Sequence, residues 1–444
     1  MKNIKIKTLF LVALSVIGLT TGCNKNSGNS DVISVAVVNN GSEYDIIKKF
    51  ADAYLAKSEN ANKTIKIIKI NEEYDSYINK RLYVNQMPDI IQVYDYSSQY
   101  WTNEGIFLPL DEYIEKDEIN LSLYYASSIE MARSSVKDEK MYWVPRDYNK
   151  VVCAYNKAIF DIAGVAYPSD DWTYDDFITT CQEIMAKKDD ILAQYSTKST
   201  IFYAADMTLN WQAVYYPAIK SFGGDLIDKE NSTAFKNIDT CLAAVNKLLE
   251  LADDGMAVPP TSTNTSAFSN RQCAMKFITR PDVPNYIKNI GGNDTIDFVS
   301  MPSFNGVETS YIGMGCTGYA ITSDIKNNKK EAAWDFLKFI FTEEGQELFA
   351  SSGSGEPVLK SITTDPNGAF IKAYPNKNNA AFTKYEERDI PMNFMDGFKP
   401  NKQLGIYVFL MNNMLSSVYK AGKGEERETY FKGKLKTNFE KTFN

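Results

Sequence analysis

The chain has 444 residues, 44% of them hydrophobic and 23% charged, the composition of a folded protein of two or three domains or one large two-lobed unit. Its net charge is −8, and the first 22 residues hold Lys2, Lys5 and Lys7 but no acid, so the remainder is more acidic still and lacks the basic face that nucleic acid requires. There is no histidine, which removes Ser–His–Asp and Cys–His catalysis, imidazole metal sites and histidine pH switches together.

The three lysines are followed by TLFLVALSVIGL, an apolar core too short to span a bilayer, and then by LTTGC, Leu19 to Cys23. A small residue before a cysteine after such a core resembles a bacterial lipobox. It implies that residues 1–22 are a lipoprotein signal peptide and that Cys23 carries lipid. NKNSGNS then has no apolar anchor, so residues 23–30 read as a flexible tether.

DVISVAVVNN is a nearly continuous apolar run, as a strand buried on both faces requires. Helical spacing of Ile46, Ile47, Phe50 and Tyr54 follows, then the strand TIKIIKI, the helix YDSYINKRLYVNQ and the strand PDIIQVY. This is a β-α-β-α-β unit opening a doubly wound sheet. Ligands of such sheets sit beyond the carboxyl ends of the strands. Asn40, Ser42 and Glu43 after the first strand are therefore candidates, as are Tyr94, Asp95 and Tyr96 after the third. Ser42 also suits the cap of the first helix.

Two strand-like pieces of MYWVPRDYNKVVCAYNK flank Arg146, Asp147 and Tyr148. Thr173 and Asp176 have the spacing of a capping box ahead of the stripe Phe177, Ile178, Cys181, Ile184 and Met185. Trp211 opens the helix WQAVYYPAIKSF, and IDTCLAAVNKLLELADDG is another helix. CAMKFIT, ending near Arg280, and TIDFVSMP read as strands of a second α/β lobe. KKEAAWDFLKFIF, with Asn328 and Glu331 at its start, and EEGQELFA, capped by Thr342, are helices. QLGIYVFLMNNMLSSVYKAG and ERETYFKGKLKTNFEKTF are amphipathic. Beyond Cys23 the cysteines are Cys153, Cys181, Cys241, Cys273 and Cys316, an odd number without C-x-x-C, so buried thiols are expected rather than a zinc knuckle or redox pair.

YIGMGCTGYAIT contains Gly313, Gly315 and Gly318 in the pattern of a dinucleotide-binding turn. That turn needs a helix opening at the third glycine, and the strand-like YAIT stands there instead. No nucleotide or other cofactor is expected.

MPDIIQVYDYSSQYWTNEGIFLPLDEYI, YWVPRDYNKVVCAYNKAIFDIAGVAYPSDDWTYDDF, RQCAMKFITRPDVPNY and GYAITSDIKNNKKEAAWDFLKFIFTEEGQELFASSGSGEPVLKS together resemble, in order and spacing, the bacterial extracellular solute-binding proteins of family 1, the maltose-binding-protein-like receptors of ABC importers. The resemblance implies a two-lobed, periplasmic-binding-protein-like (type II) α/β fold, each lobe a sheet flanked by helices, with the ligand cleft between them. Lobe 1 would be residues 31–147 plus 320–357 and lobe 2 residues 148–315 plus 360–444. The crossings would fall near Pro145–Lys150, Gly313–Ile321 and Pro357–Lys360. It further implies a lipid-anchored monomer on the outer side of the cell membrane that captures a carbohydrate by hinge closure and hands it to importer membrane subunits, with no catalysis and no metal.

The ligand set implied is Asn40, Glu43, Tyr94, Asp95, Tyr96, Arg146, Asp147, Tyr148, Trp211, Arg280, Gly315 and Cys316. Carboxylates, amides and Arg meet sugar hydroxyls, while aromatic faces meet the C–H side of the ring. TRPD, where the family frequently has a glycine and a tryptophan nearby, departs from the pattern. It suggests a polar contact from Arg280 and keeps other readings open: an anionic solute on Arg146 and Arg280, the glycerol phosphates and polyamines that the family also takes, a glycosidase using Asp95 and Asp147, or a sensor partner or adhesin. The substitution Cys23→Ala should move the protein from the membrane fraction to the soluble fraction on cell fractionation; retention in the membrane would overturn the lipobox reading.

Overall fold

The first strand, β1 (Val32–Val38), pairs in parallel with β2 (Thr64–Ile70) on one side, Val35 opposite Ile67, and with β3 (Ile90–Tyr94) on the other, Val35 opposite Ile90. Its apolar sequence suits that inner position, whereas β2 alternates exposed and covered residues along the edge. Helices Ser42–Leu55 and Tyr74–Tyr83 are the crossovers, as the hydrophobic periodicity predicts. The structure is a computed structural model that describes residues 32–443 except 41, 134–137, 195–200, 292–294, 393, 396–397 and 399. The expected signal peptide, lipid-bearing Cys23 and tether lie outside the described residues.

The chain next adds β4 (Val144–Pro145), then β5 (Asn149–Lys150), then β6 (Val152–Asn156), and these three short strands belong to three different sheets. The second lobe follows. β7 (Tyr203–Asp206) is separated by the β8 (Asp225–Asp228) and β9 (Thr233–Lys236) hairpin from β10 (Cys273–Ile278) and β11 (Ile296–Ser300). With β6, the strands β7, β10 and β11 form a sheet in the order β11-β6-β10-β7. Thr173 and Asp176 form the expected capping box at the start of helix Tyr174–Ala186.

β12 (Ile312–Gly315) and β13 (Thr317–Ile321) then carry the chain back. β13 runs antiparallel between β3 and β4, completing the first sheet as β2-β1-β3-β13-β4. A last strand, β14 (Asp389–Pro391), joins β12 and β5 in a three-stranded ribbon between the two large sheets. The strand at Thr317–Ile321 stands where a nucleotide-binding turn would need a helix.

Helices Lys330–Phe341 and Glu343–Ala350 cover the first lobe, with the Tyr54 and Phe336 rings 5.2 Å apart. Thr342 caps the second of these, accepting from the Gly345 N–H. The expected Asn328–Glu331 cap is replaced by a short turn over Asn327–Lys329, and the helix begins one residue later with no side-chain bond at its cap. The long helix Pro400–Lys420 and the segments Glu425–Tyr430 and Lys436–Glu440 seal the second lobe, burying Leu410, Met414, Phe431 and Phe439 in its core. All five described cysteines are buried and unpaired. Among the described residues, no helix is long and apolar enough to cross a membrane.

Gly313 shows how tightly the ribbon is held. A Cβ there would stand 2.0 Å from the Ala213 carbonyl oxygen at the start of helix Gln212–Ser221. The chain passes under that helix only because this position has no side chain. Gly313→Ala should therefore lower unfolding stability by about 1–3 kcal/mol in urea titration, whereas Gly433→Ala, with nothing within 4 Å of its Cβ, should show no loss.

Candidate ligand cleft

The carboxyl end of β3 opens directly into helix Asp95–Asn103, so Asp95 stands at the helix N-terminus facing the returning ribbon. Its Oδ1 accepts from the Tyr96 N–H at 2.7 Å and its Oδ2 from the Cys316 N–H at 3.0 Å. The Asp95 N–H in turn donates to the Cys316 carbonyl at 3.2 Å. Gly315 allows this approach, because a Cβ there would lie 2.8 Å from Asp95 Oδ2. Burial pushes the Asp95 carboxyl up to about 6, against the two backbone donors.

A cavity of about 220 Å³ lies between the lobes at this point. The first lobe contributes Asp95 and Tyr96, and the crossing strands contribute Asn149, Met314, Gly315, Cys316 and Thr317. Trp211, Gln212, Ala213 and Thr279 come from the second lobe, while Met392, Phe394, Met395 and Tyr407 come from the C-terminal segment. Tyr96 stacks between Tyr94, 5.5 Å away, and Tyr407, 5.1 Å away, so an aromatic column crosses from the first lobe to helix Pro400–Lys420. Trp211 and Thr279 also line an adjoining cavity of about 400 Å³ that runs over the second lobe past Asp206, Lys276 and Asp282.

Five of the sequence candidates thus meet at the cleft: Asp95, Tyr96, Trp211, Gly315 and Cys316. The others are placed elsewhere. Asn40 is exposed and accepts from the Glu43 N–H, taking the capping position that Ser42 suits by sequence. Tyr94 stands behind Tyr96, packed edge-on against Tyr74. Glu43, Arg146 and Asp147 form a buried cluster: the Arg146 guanidinium reaches both Glu43 oxygens, Asp147 Oδ2 and the Thr317 hydroxyl. Asp147 Oδ1 accepts from the Thr317 N–H at 2.6 Å and from Asn149 Nδ2 at 2.9 Å. Arg146 and Asp147 are thereby committed to one another and to their neighbours, and neither lines the cavity.

Tyr148 is fully buried under the ribbon, stacked 4.1 Å from Tyr125 and donating to Asp389. Asp389 also pairs with Lys150 at 2.7 Å. Arg280 is 0% exposed. It donates to Asn379 Oδ1 at 2.9 Å and to the Phe370 carbonyl at 2.7 Å, with its guanidinium 3.7 Å from the centre of the Phe370 ring. TRPD therefore ties the segment around residues 370–382 to the second lobe rather than offering a cation to the cleft.

Sequence reasoning missed the amides Asn149 and Gln212, the hydroxyls of Thr279 and Thr317, and the C-terminal wall. Asn149 and Gln212 each adjoin a candidate residue, and extending the set by one position would have found them. Met392, Phe394 and Met395 sit in a stretch with no periodicity, and Tyr407 is one aromatic of a helix legible only as amphipathic.

Two α/β lobes joined by crossing strands, with a mixed polar and aromatic cleft over the crossing, define a two-lobed solute-binding protein. The chain belongs to the bacterial extracellular solute-binding protein family, whose profile matches residues 39–347. Proteins of Brucella abortus and Brucella suis named provisionally as binding proteins are 25% identical over 267 residues, 59% of this chain. The chain spans 60% of the length of these curated relatives.

Its fold is similar to that of an ABC substrate-binding protein from Listeria monocytogenes solved with cycloalternan (TM-score 0.69, 17% identity, 93% of this chain and 98% of that one). It is also similar to UgpB of Mycobacterium tuberculosis with glycerophosphocholine (TM-score 0.73, 15% identity, 92% and 98%). A third likeness is the sugar-binding protein MalE of Xanthomonas citri (TM-score 0.71, 14% identity, 93% and 97%). The family and these neighbours are binding proteins.

The raised Asp95 carboxyl has a measurable consequence. Its folded value near 6 lies above the unfolded value near 3.8, so the fold favours the neutral acid. That contribution is present at pH 4 and is lost as pH rises through 6. Relative to Asp95→Asn, which stays neutral throughout, the wild type should lose about 1–3 kcal/mol of unfolding stability between pH 4 and pH 7. A constant difference across this range, by urea titration at each pH, would show that Asp95 ionises freely.

Proposed function

We propose that the protein captures a carbohydrate, a mono- or oligosaccharide, outside the cytoplasmic membrane and delivers it to the membrane subunits of an ABC importer. The observation that supports this most directly is the cleft lining. One carboxylate, two amides and two threonine hydroxyls stand beside the rings of Trp211 and Tyr407, the latter backed by Tyr96, so polar groups for hydroxyls and flat faces for the apolar side of a sugar ring share one cavity. The sugar-binding names of several structural neighbours agree with it.

Lobe 1 (31–147 plus 320–357) and lobe 2 (148–315 plus 360–444) close on the solute about the ribbon of β5, β12 and β14. The solute touches both lobes together only in the closed state, so its binding energy shifts the open–closed equilibrium. Capture requires no chemistry, and Asp147, one of the two acids that a glycosidase reading would need, is bound to Arg146, Asn149 and Thr317. The protein acts as a monomer held to the membrane by lipid on Cys23.

A thermal-shift screen against mono- and oligosaccharides tests this. A solute at a hundred times its Kd should add about 2.7 kcal/mol of stability. Trp211→Ala should weaken binding about tenfold or more, the loss of one stacked ring, and leave the melting point without solute nearly unchanged. If glycerol phosphates shift the melt and no saccharide does, the carbohydrate reading is overturned.

A further inference from the structure

The charged groups around the cleft are unequal in sign. Among the described residues, Asp95 is the single carboxylate in the wall of the central cavity, and no lysine or arginine lines it. The adjoining cavity adds Asp206, Asp282 and Lys276, and the Lys276 ammonium is already paired with Asp206. The arginines and lysine that the crossing segments and TRPD place near the hinge are buried and committed: Arg146 to Glu43 and Asp147, Lys150 to Asp389, Arg280 to Asn379 and the Phe370 carbonyl. An anionic solute would therefore meet uncompensated carboxylates and none of these counter-charges. This removes the physical basis for the anionic reading drawn from Arg146 and Arg280 in the sequence.

Asp95 is the converse case. Two of its lone-pair positions take backbone N–H groups, and a carboxylate has about four. Among the described residues no lysine or arginine pairs with it. The same cavity holds the rings of Tyr407 and Trp211, whose faces attract cations as well as C–H bonds, with Tyr96 stacked behind Tyr407. A neutral hydroxyl would fill the free lone pairs but leave the desolvated charge without a partner. A protonated amine does both.

We propose that the captured saccharide carries a protonated amino group, seated against Asp95 in the cavity that Tyr96, Tyr407 and Trp211 share. This rests on the carbohydrate reading above and narrows it to amino sugars.

The test is calorimetric titration of the full chain with matched sets: glucosamine, galactosamine and their short oligomers, the N-acetylated counterparts, the parent neutral sugars, the uronic acids, and spermidine as an amine without a ring. The amino sugars should bind at least about tenfold more tightly than their N-acetylated and neutral counterparts, as a charge-assisted bond in a half-buried site implies. Asp95→Asn should erase that difference while still binding the neutral set. Equal or tighter binding of neutral or N-acetylated sugars by the wild type overturns the amino-sugar inference and leaves the carbohydrate reading standing. Binding of uronic acids alone does the same. Binding of spermidine alone, or of nothing in the panel, overturns the carbohydrate reading itself. The wild-type comparison decides between these outcomes whether or not the variant folds.

Discussion

Arg146 ties the first lobe to the crossing strands. Its guanidinium joins Glu43 on the first crossover helix, Asp147 on the outgoing crossing and Thr317 on the returning strand. Burying such a cluster contributes little net stability, but removing one member strands the others and costs about 3–5 kcal/mol. Its value is positional. With Asp147 pinned, Thr317 and Asn149 are pinned through its Oδ1, and the floor of the cleft takes one shape. The acids nearest the hinge therefore support the cleft from behind, and the acid that faces it is one loop away.

That division recurs at the far end of the same crossing. Lys150, Tyr148 and Asp389 lock the ribbon from below, and Glu356, fully buried, adds its carbonyl to the Tyr148 N–H. Burial pushes the Glu356 carboxyl well up. The ribbon is thus rigid on its lobe-facing side and open toward the cavity, where Gly315 brings backbone and the Asp95 carboxylate into contact. On the proposed reading, a solute at Asp95 would touch a group that is itself hydrogen-bonded to the crossing segment at Cys316.

The fold was largely legible in the sequence because its signals are local. The apolar β1 run, the spacing of Ile46, Ile47, Phe50 and Tyr54, and the Thr173–Asp176 capping box each name an element without tertiary context. The glycine pattern was legible as well, once the strand after Gly318 excluded a phosphate-binding helix. The cleft was legible only in part. Asp95, Tyr96 and Trp211 follow from strand and helix ends, but sequence cannot tell a charged side chain that faces solvent from one whose partner lies far along the chain. Glu43 and Arg146 are separated by 103 residues, and Arg280 and Asn379 by 99. Those pairings consumed the very groups whose chemistry suggested a ligand. In the C-terminal wall, Met392, Phe394 and Met395 carry no periodic or motif signal, and Tyr407 is one aromatic in a helix whose amphipathic pattern does not single it out.

The placement of β13 has a consequence in time. It lies between β3 and β4, and the contact made at its start, from Cys316 to Asp95, spans 221 residues. The first sheet cannot be completed until more than two-thirds of the chain is available to it. Pairings this distant in sequence must bear their loop-closure entropy before any contact rewards it, so folding is slow. Until that strand is made, the edge of β3 that it covers stays unpaired, so the first lobe is incomplete for most of the chain's synthesis.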